Sequence, residues 1–138
     1  MAERGDVALL RRVRKFGDPW AAFLGLSQQW IIHFDLADLP DQACAGQVFL
    51  HYPYKQAAIK LSRHYVKAAS DREVEILVVH ELAHVILETV YGPVKQMVGE
   101  ETEVGEKIND CLETLADTLT RLFLRLRSDK HGGPTYGS

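Results

Sequence analysis

Residues 76–87 read Ile76-Leu77-Val78-Val79-His80-Glu81-Leu82-Ala83-His84-Val85-Ile86-Leu87, and this stretch sets the architecture of the whole chain. On a helix each residue advances about 100°, so two histidines four apart stand on one face a turn above each other. That spacing lets two imidazoles hold one metal ion, while Glu81 points to the side, within reach of a water on that ion. Everything else in the stretch is apolar, and a helix that is apolar on most sides is buried on most sides. Three ionisable groups inside such a helix cost several kcal/mol unless something compensates them. A divalent cation is the obvious compensator.

Outward from this stretch, the helix is bounded by readable signals. Ser70-Asp71-Arg72-Glu73 is an S-x-x-E capping box at its mouth. The helix is expected from about Asp71 to Tyr91, with Gly92-Pro93 as its stop. A loop containing Gly99, Glu100, Glu101, Glu103 and Gly105 follows. The last helix then carries a stripe of Val104, Ile108, Cys111, Leu112, Leu115, Leu119, Leu122, Phe123 and Leu126. From Ser128 to Ser138 there is no periodicity, and this end reads as a mobile tail.

Before the central helix the period changes. Asp6 to Phe16 forms a short basic amphipathic helix that Gly17 is expected to end; Asp18-Pro19 then starts a second short helix carrying Trp20, Phe23 and Leu24 inward. Trp30 to Leu36 alternates like a half-buried strand, as do Gln47 to Tyr52 and Ala57 to Arg63, with a loop from Ala37 to Gly46. Short connections between successive strands favour an antiparallel sheet. The expected fold is α+β: a three-stranded antiparallel sheet packed on the central helix and a second long C-terminal helix, in one domain over residues 1–127 with a tail over 128–138.

The bulk properties narrow the function. At 138 residues the chain suits one domain with a genuine core, and its 25% charged and 46% hydrophobic residues are ordinary for a globular protein. A net charge of −3 gives no general pull toward nucleic acid or an anionic membrane. Met1 to Lys15 has basic residues scattered through its apolar ones, unlike a signal peptide, and no segment is long and apolar enough to span a bilayer. Cys44 and Cys111 lie far apart and form no C-x-x-C pair, which suits a reducing compartment. A cytoplasmic, monomeric protein is expected.

A catalytic zinc ordinarily takes three protein ligands and keeps a fourth position for water. The extended H-E-x-x-H-x-x-G-x-x-H pattern is absent, because Leu87 stands at its glycine position and Val90 at its last histidine position. The only histidine after His84 is His131, near the chain end. Glu113, in Glu113-Thr114-Leu115-Ala116-Asp117, is the better donor: it lies on the flank of the apolar stripe beside Ala116. Asp117, one turn on, could accept the free ring N–H of a ligating histidine. The other reading leaves both as solvent-facing charges on a helix that also carries Glu106 and Asp110.

His80-Glu81-Leu82-Ala83-His84 followed by Glu113-x-x-Ala116-Asp117 resembles the gluzincin branch of the zincin metallopeptidases. With the three strands before the helix, the chain from Trp30 to Phe123 is similar to the compact catalytic cores of the ImmA/IrrE-like and SprT-like families. It departs from them in lacking the third histidine ligand of SprT-like proteins and any helix-turn-helix region. The resemblance implies that His80, His84 and Glu113 bind Zn2+. It also implies that Glu81, as general base, takes a proton from a zinc-activated water and later delivers it to the leaving amine of a peptide or protein substrate. It implies further that the strand from Ala57 to Arg63 is the edge to which an extended substrate adds. The oxyanion donor is left open among His51, Tyr54, His64, Tyr65 and Tyr91. A domain this small suits narrow specificity. The alternative function is a non-catalytic zinc-binding interaction module on the same fold.

Overall fold

The first helix does not stop at Gly17. In a computed structural model, which describes residues 2–39 and 45–130, α1 spans Ala2–Phe23 without a break and takes Pro19 into its interior. A proline there costs on the order of 3 kcal/mol. The next turn offsets it by burying Trp20 and Ala21 and by a hydrogen bond from Trp20 Nε1 to Glu75 Oε2 (2.9 Å). Gly17 marks a close approach instead of an end: a Cβ added there would lie 2.5 Å from Cζ of the buried Phe34 ring.

Three strands follow, β1 (Ile31–Ala37), β2 (Gly46–His51) and β3 (Gln56–Ser62). Their spatial order is β1-β3-β2, and the sheet is mixed, which corrects the expected all-antiparallel arrangement. β2 pairs antiparallel with β3, as a short connection through Tyr52–Tyr54 and the left-handed Lys55 (φ 48°) requires. β1 pairs parallel with β3, Ile31 opposite Gln56 through Ala37 opposite Ser62. The rule that consecutive strands pair fails for β1 and β2, since β3 inserts between them. β3 is therefore central, with Ala57, Ile59 and Leu61 all fully buried. The edges are β1 and β2. Residues 40–44, which include Cys44, lie outside the described residues.

A short helix that the periodicity did not reveal, α2 (Arg63–Ala68), links the sheet to the central helix, its N-terminus capped by Ser62 Oγ accepting from the Tyr65 amide (3.2 Å). Arg12 of α1 donates to the carbonyls of Val66 and Ala69 and to Asp71 Oδ1 (2.7 Å), tying the end of α2 to the start of the next helix. That helix, α3 (Asp71–Val98), opens on the expected capping box: Ser70 Oγ accepts from the Glu73 amide and Glu73 Oε1 from the Ser70 amide. It continues past Gly92 and Pro93, seven residues beyond the expected stop at Tyr91. The extension is held by buried Lys95, whose Nζ donates to Glu88 Oε1 (2.7 Å) and Asn109 Oδ1 (3.1 Å). Gly99, at φ 86°, ends it.

After a four-residue turn, α4 spans Glu103–Lys130 and so takes Ser128, expected in a tail, into its last turn with its side chain buried. Residues 131–138 lie outside the described residues. The inward line of α4 is Leu112, Ala116, Thr120 and Leu124, about a quarter-turn round from the centre of the expected stripe. Ala83 and Leu87 of α3 meet Leu112 and Ala116 in a small cluster of their own, and the two alanines let the helices approach closely. The main core joins Val13 and Trp20, Phe34, the inward side of β3, and Val74, Val78, Leu82 and Val85 of α3. Among the described residues, no helix is long and apolar enough to cross a membrane.

Candidate metal centre

α3 and α4 bring the expected donors together. His80 Nε2 and His84 Nε2 are 3.1 Å apart, with ring centroids at 4.9 Å and the planes inclined by 29°. Glu113 reaches across from α4, Oε2 lying 3.5 Å from His80 Nε2 and Oε1 3.0 Å from His84 Nε2. One ligand atom from each residue falls within 4.8 Å of the others, and among the described residues this is the group of three that could hold a metal ion. Zinc bonds of about 2.0–2.2 Å in tetrahedral geometry set neighbouring donors about 3.3–3.5 Å apart. The three separations, those of Glu113 being to its two different oxygens, lie within a few tenths of an ångström of that edge length. The residues therefore fit a tetrahedral cation with one position left over.

The helix register explains this convergence. His80 and His84 share a face of α3 because they are four apart, and the small cluster around Ala83 and Ala116 sets the distance at which Glu113 must reach over. Asp117, one turn after Glu113, places Oδ1 3.4 Å from Nδ1 of His80. A proton on Nδ1 facing that carboxylate leaves Nε2, the nitrogen nearest His84 Nε2, with its lone pair.

Glu81 lies beside the pair and is 5% exposed. Burial, and secondarily the negative charge of Glu113, push its carboxyl up to about 8. Burial also holds the His84 imidazole below its ordinary range, the attraction of Glu113 opposing this in part. A neutral imidazole is the form that donates to a metal. A cation between the histidines and Glu113 would oppose both causes that keep Glu81 protonated.

The sheet reaches this site through β2, not β3. Gly46, the first residue of β2, packs on the Glu81 side chain so closely that an added Cβ would lie 2.7 Å from both the carboxyl carbon and Oε1. A cavity of about 390 Å3 opens in front, walled by Gly46 to Phe49 on one side and by Glu81, His84, Glu88, Asn109, Asp110, Leu112 and Glu113 on the other. The strand lying along the site is thus the β2 edge; β3, expected in that position, is paired on both sides.

None of the five candidate oxyanion donors lines this cavity. His51 lines an adjoining one, further along β2 with Glu88 and Lys95. Tyr65 packs against the main core, Tyr91 lines a groove between α3 and α4, and Tyr54 and His64 are exposed. Gly46 and Gln47 line the cavity without any mark in the sequence, while Asn109, which helical spacing puts on the same side of α4 as Glu113, lines it as well. Each comes from a different register of β2 or α4, and no spacing relates them to the histidine pair. A scan against models of protein families matches none, and searches of curated proteins and of solved structures likewise find no match.

Proposed function

We propose that this chain is a zinc-dependent peptidase of narrow specificity. The observation that carries the reading is the set of three donors, His80, His84 and Glu113, at separations suited to one tetrahedral cation with a position to spare, beside a buried glutamate. Structural zinc sites are closed by four protein ligands, whereas catalytic ones keep a place open.

In this reading His80 and His84 hold the ion through Nε2 and Glu113 through its carboxylate. When bound, zinc supplies a water of near-neutral pKa and a Lewis acid for the scissile carbonyl. The protein's own groups do the rest. Glu81, ionised when the cation offsets its burial and the charge of Glu113, takes the proton of the attacking water and passes it to the leaving amine, a transfer worth about 10²–10⁴ in rate. Gly46 gives the Glu81 carboxyl its fixed position. Asp117 holds His80 in the required tautomer. The β2 edge takes an extended peptide by main-chain hydrogen bonds, with Val48 and Phe49 lining the wall beside it.

The test compares cleavage of a peptide library by wild type and by Glu81→Gln, each loaded with zinc. Cleavage by wild type and a loss of at least about a hundredfold in the variant, with zinc retained, support the proposal. Equal rates would remove Glu81 from the chemistry. Zinc binding without cleavage in either protein would favour an interaction module built on the same site.

A further inference from the structure

α4 is apolar on two sides. Leu112, Ala116 and Leu124 face the rest of the protein and are buried. A second line stands open to solvent: Val104 is 54% exposed, Leu115 41%, Leu122 45% and Leu126 49%, with the exposed Cys111 between them. The intervals of seven, four, seven and four residues keep these side chains on one seam. At 1.5 Å per residue the seam is about 33 Å long. Alongside its first half runs an apolar groove of about 380 Å3 between α3 and α4, where Tyr91 and Val94 join Val104 and Leu115. A stripe of this length is more than the scattered apolar residues that a monomer ordinarily exposes.

The charges beside the seam indicate what covers it. At about 100° per residue, Glu103, Arg121 and Arg125 flank it on one side, with Asp110 further round on that side toward the metal-site cavity. The two acids precede Leu115 and the two arginines follow it. The same division holds for α4 as a whole, with Glu106, Glu113 and Asp117 before Arg121, and Arg125 and Arg127 after it. Two residues break the division: Lys107, paired within the helix to Glu103 (3.4 Å), and Asp129 near the helix end, which is followed by Lys130. A second α4 laid antiparallel on the seam sets the acidic half of each helix against the basic half of the other. Two-fold symmetry repeats the match at both ends. A parallel pairing would set like charge on like.

We propose that the chain associates with a second copy of itself through this face, as a two-fold dimer with the α4 helices antiparallel and the apolar line from Val104 to Leu126 at its centre. This replaces the expectation of a monomer. Glu113 lies about 160° round the helix from Leu115, so the metal centre faces away from the seam and stays open. The proposal is independent of what that centre does.

Sedimentation equilibrium over a wide concentration range tests it on the full chain. Wild type should dimerise, and Leu115→Arg and Leu122→Arg, both at solvent-exposed positions, should raise the dissociation constant about thirtyfold or more while circular dichroism stays unchanged. Arg121→Glu with Arg125→Glu should weaken the dimer, and adding Glu103→Lys with Asp110→Lys in the same chain should restore it, as only the antiparallel arrangement allows. A wild-type monomer at every concentration would overturn the proposal and leave the face to a different protein. A dimer indifferent to Leu115→Arg and Leu122→Arg, or a reversal that restores nothing, would overturn it equally.

Discussion

Asp117 Oδ1 stands 3.4 Å from Nδ1 of His80, on the opposite side of that imidazole from the Nε2 that faces Glu113. Removing the carboxylate leaves the ring free to rotate and to take the wrong tautomer. Asp117→Ala is expected to weaken zinc binding about 10- to 100-fold without abolishing it. Titration against a chromophoric chelator reads this directly; unchanged affinity would leave Asp117 as a surface charge.

β2 and the Glu81 side chain meet at Gly46. Adding one methyl there drives it into the Glu81 carboxyl, with 2.7 Å available where ordinary contact needs more than 3.4 Å. Gly46→Ala should therefore destabilise the protein by about 1–3 kcal/mol and displace Glu81. Zinc content should stay intact while peptide cleavage falls at least tenfold. Wild-type cleavage by this variant would show that β2 does not position the base.

Gly17 and Gly5 both sit in α1, yet they should answer oppositely. An added Cβ at Gly5 has nothing within 4 Å, whereas at Gly17 it meets the ring of buried Phe34. Gly5→Ala is expected to be neutral or slightly stabilising through helix propensity. Gly17→Ala should cost about 1–3 kcal/mol by urea unfolding, because the ring it meets is buried and would have to shift. Equal effects would mean that the packing of α1 on β1 is looser than described.

Acid should destabilise the start of α3. The Arg12 guanidinium holds the Asp71 carboxyl below its ordinary 3.8, and hydrogen bonds from the Ser70 backbone and side chain hold Glu73 below its ordinary 4.5. Both folded-state values are depressed, so the stabilisation is complete above the ordinary values and is lost as pH falls through the lower, folded ones. Stability measured by urea unfolding below about pH 4.5 should fall less steeply in Arg12→Ala and in Ser70→Ala than in wild type. Parallel slopes would show that neither contact persists in solution.

Much of the candidate site could be read from the sequence because helical spacing is local. His80 and His84 fall on one face whatever surrounds them, and Glu113 was picked out by its flank position on the last helix. The three strands were legible for the same reason, since alternation is a property of four to eight consecutive residues. Sheet order was not. It depends on which strand enters between which others, and nothing in residues 57–62 states that they run between two neighbours. Gly17, Gly92 and Pro93 misled because their local preference is to break helices. Burial of Trp20 and the Lys95 contacts with Glu88 and Asn109 outweighed that preference. The apolar stripe of α4 mixed two faces: Leu112 turns inward and Leu115 outward, a distinction set by where α3 lies.

Metal analysis of the purified protein tests the account at its centre. Wild type should carry one zinc per chain, and His80→Ala, His84→Ala and Glu113→Ala should each lose most of it on dialysis while Glu81→Gln keeps it. Full zinc occupancy in the His80→Ala and Glu113→Ala proteins would contradict the assignment of the three ligands and, with it, the proposed peptidase.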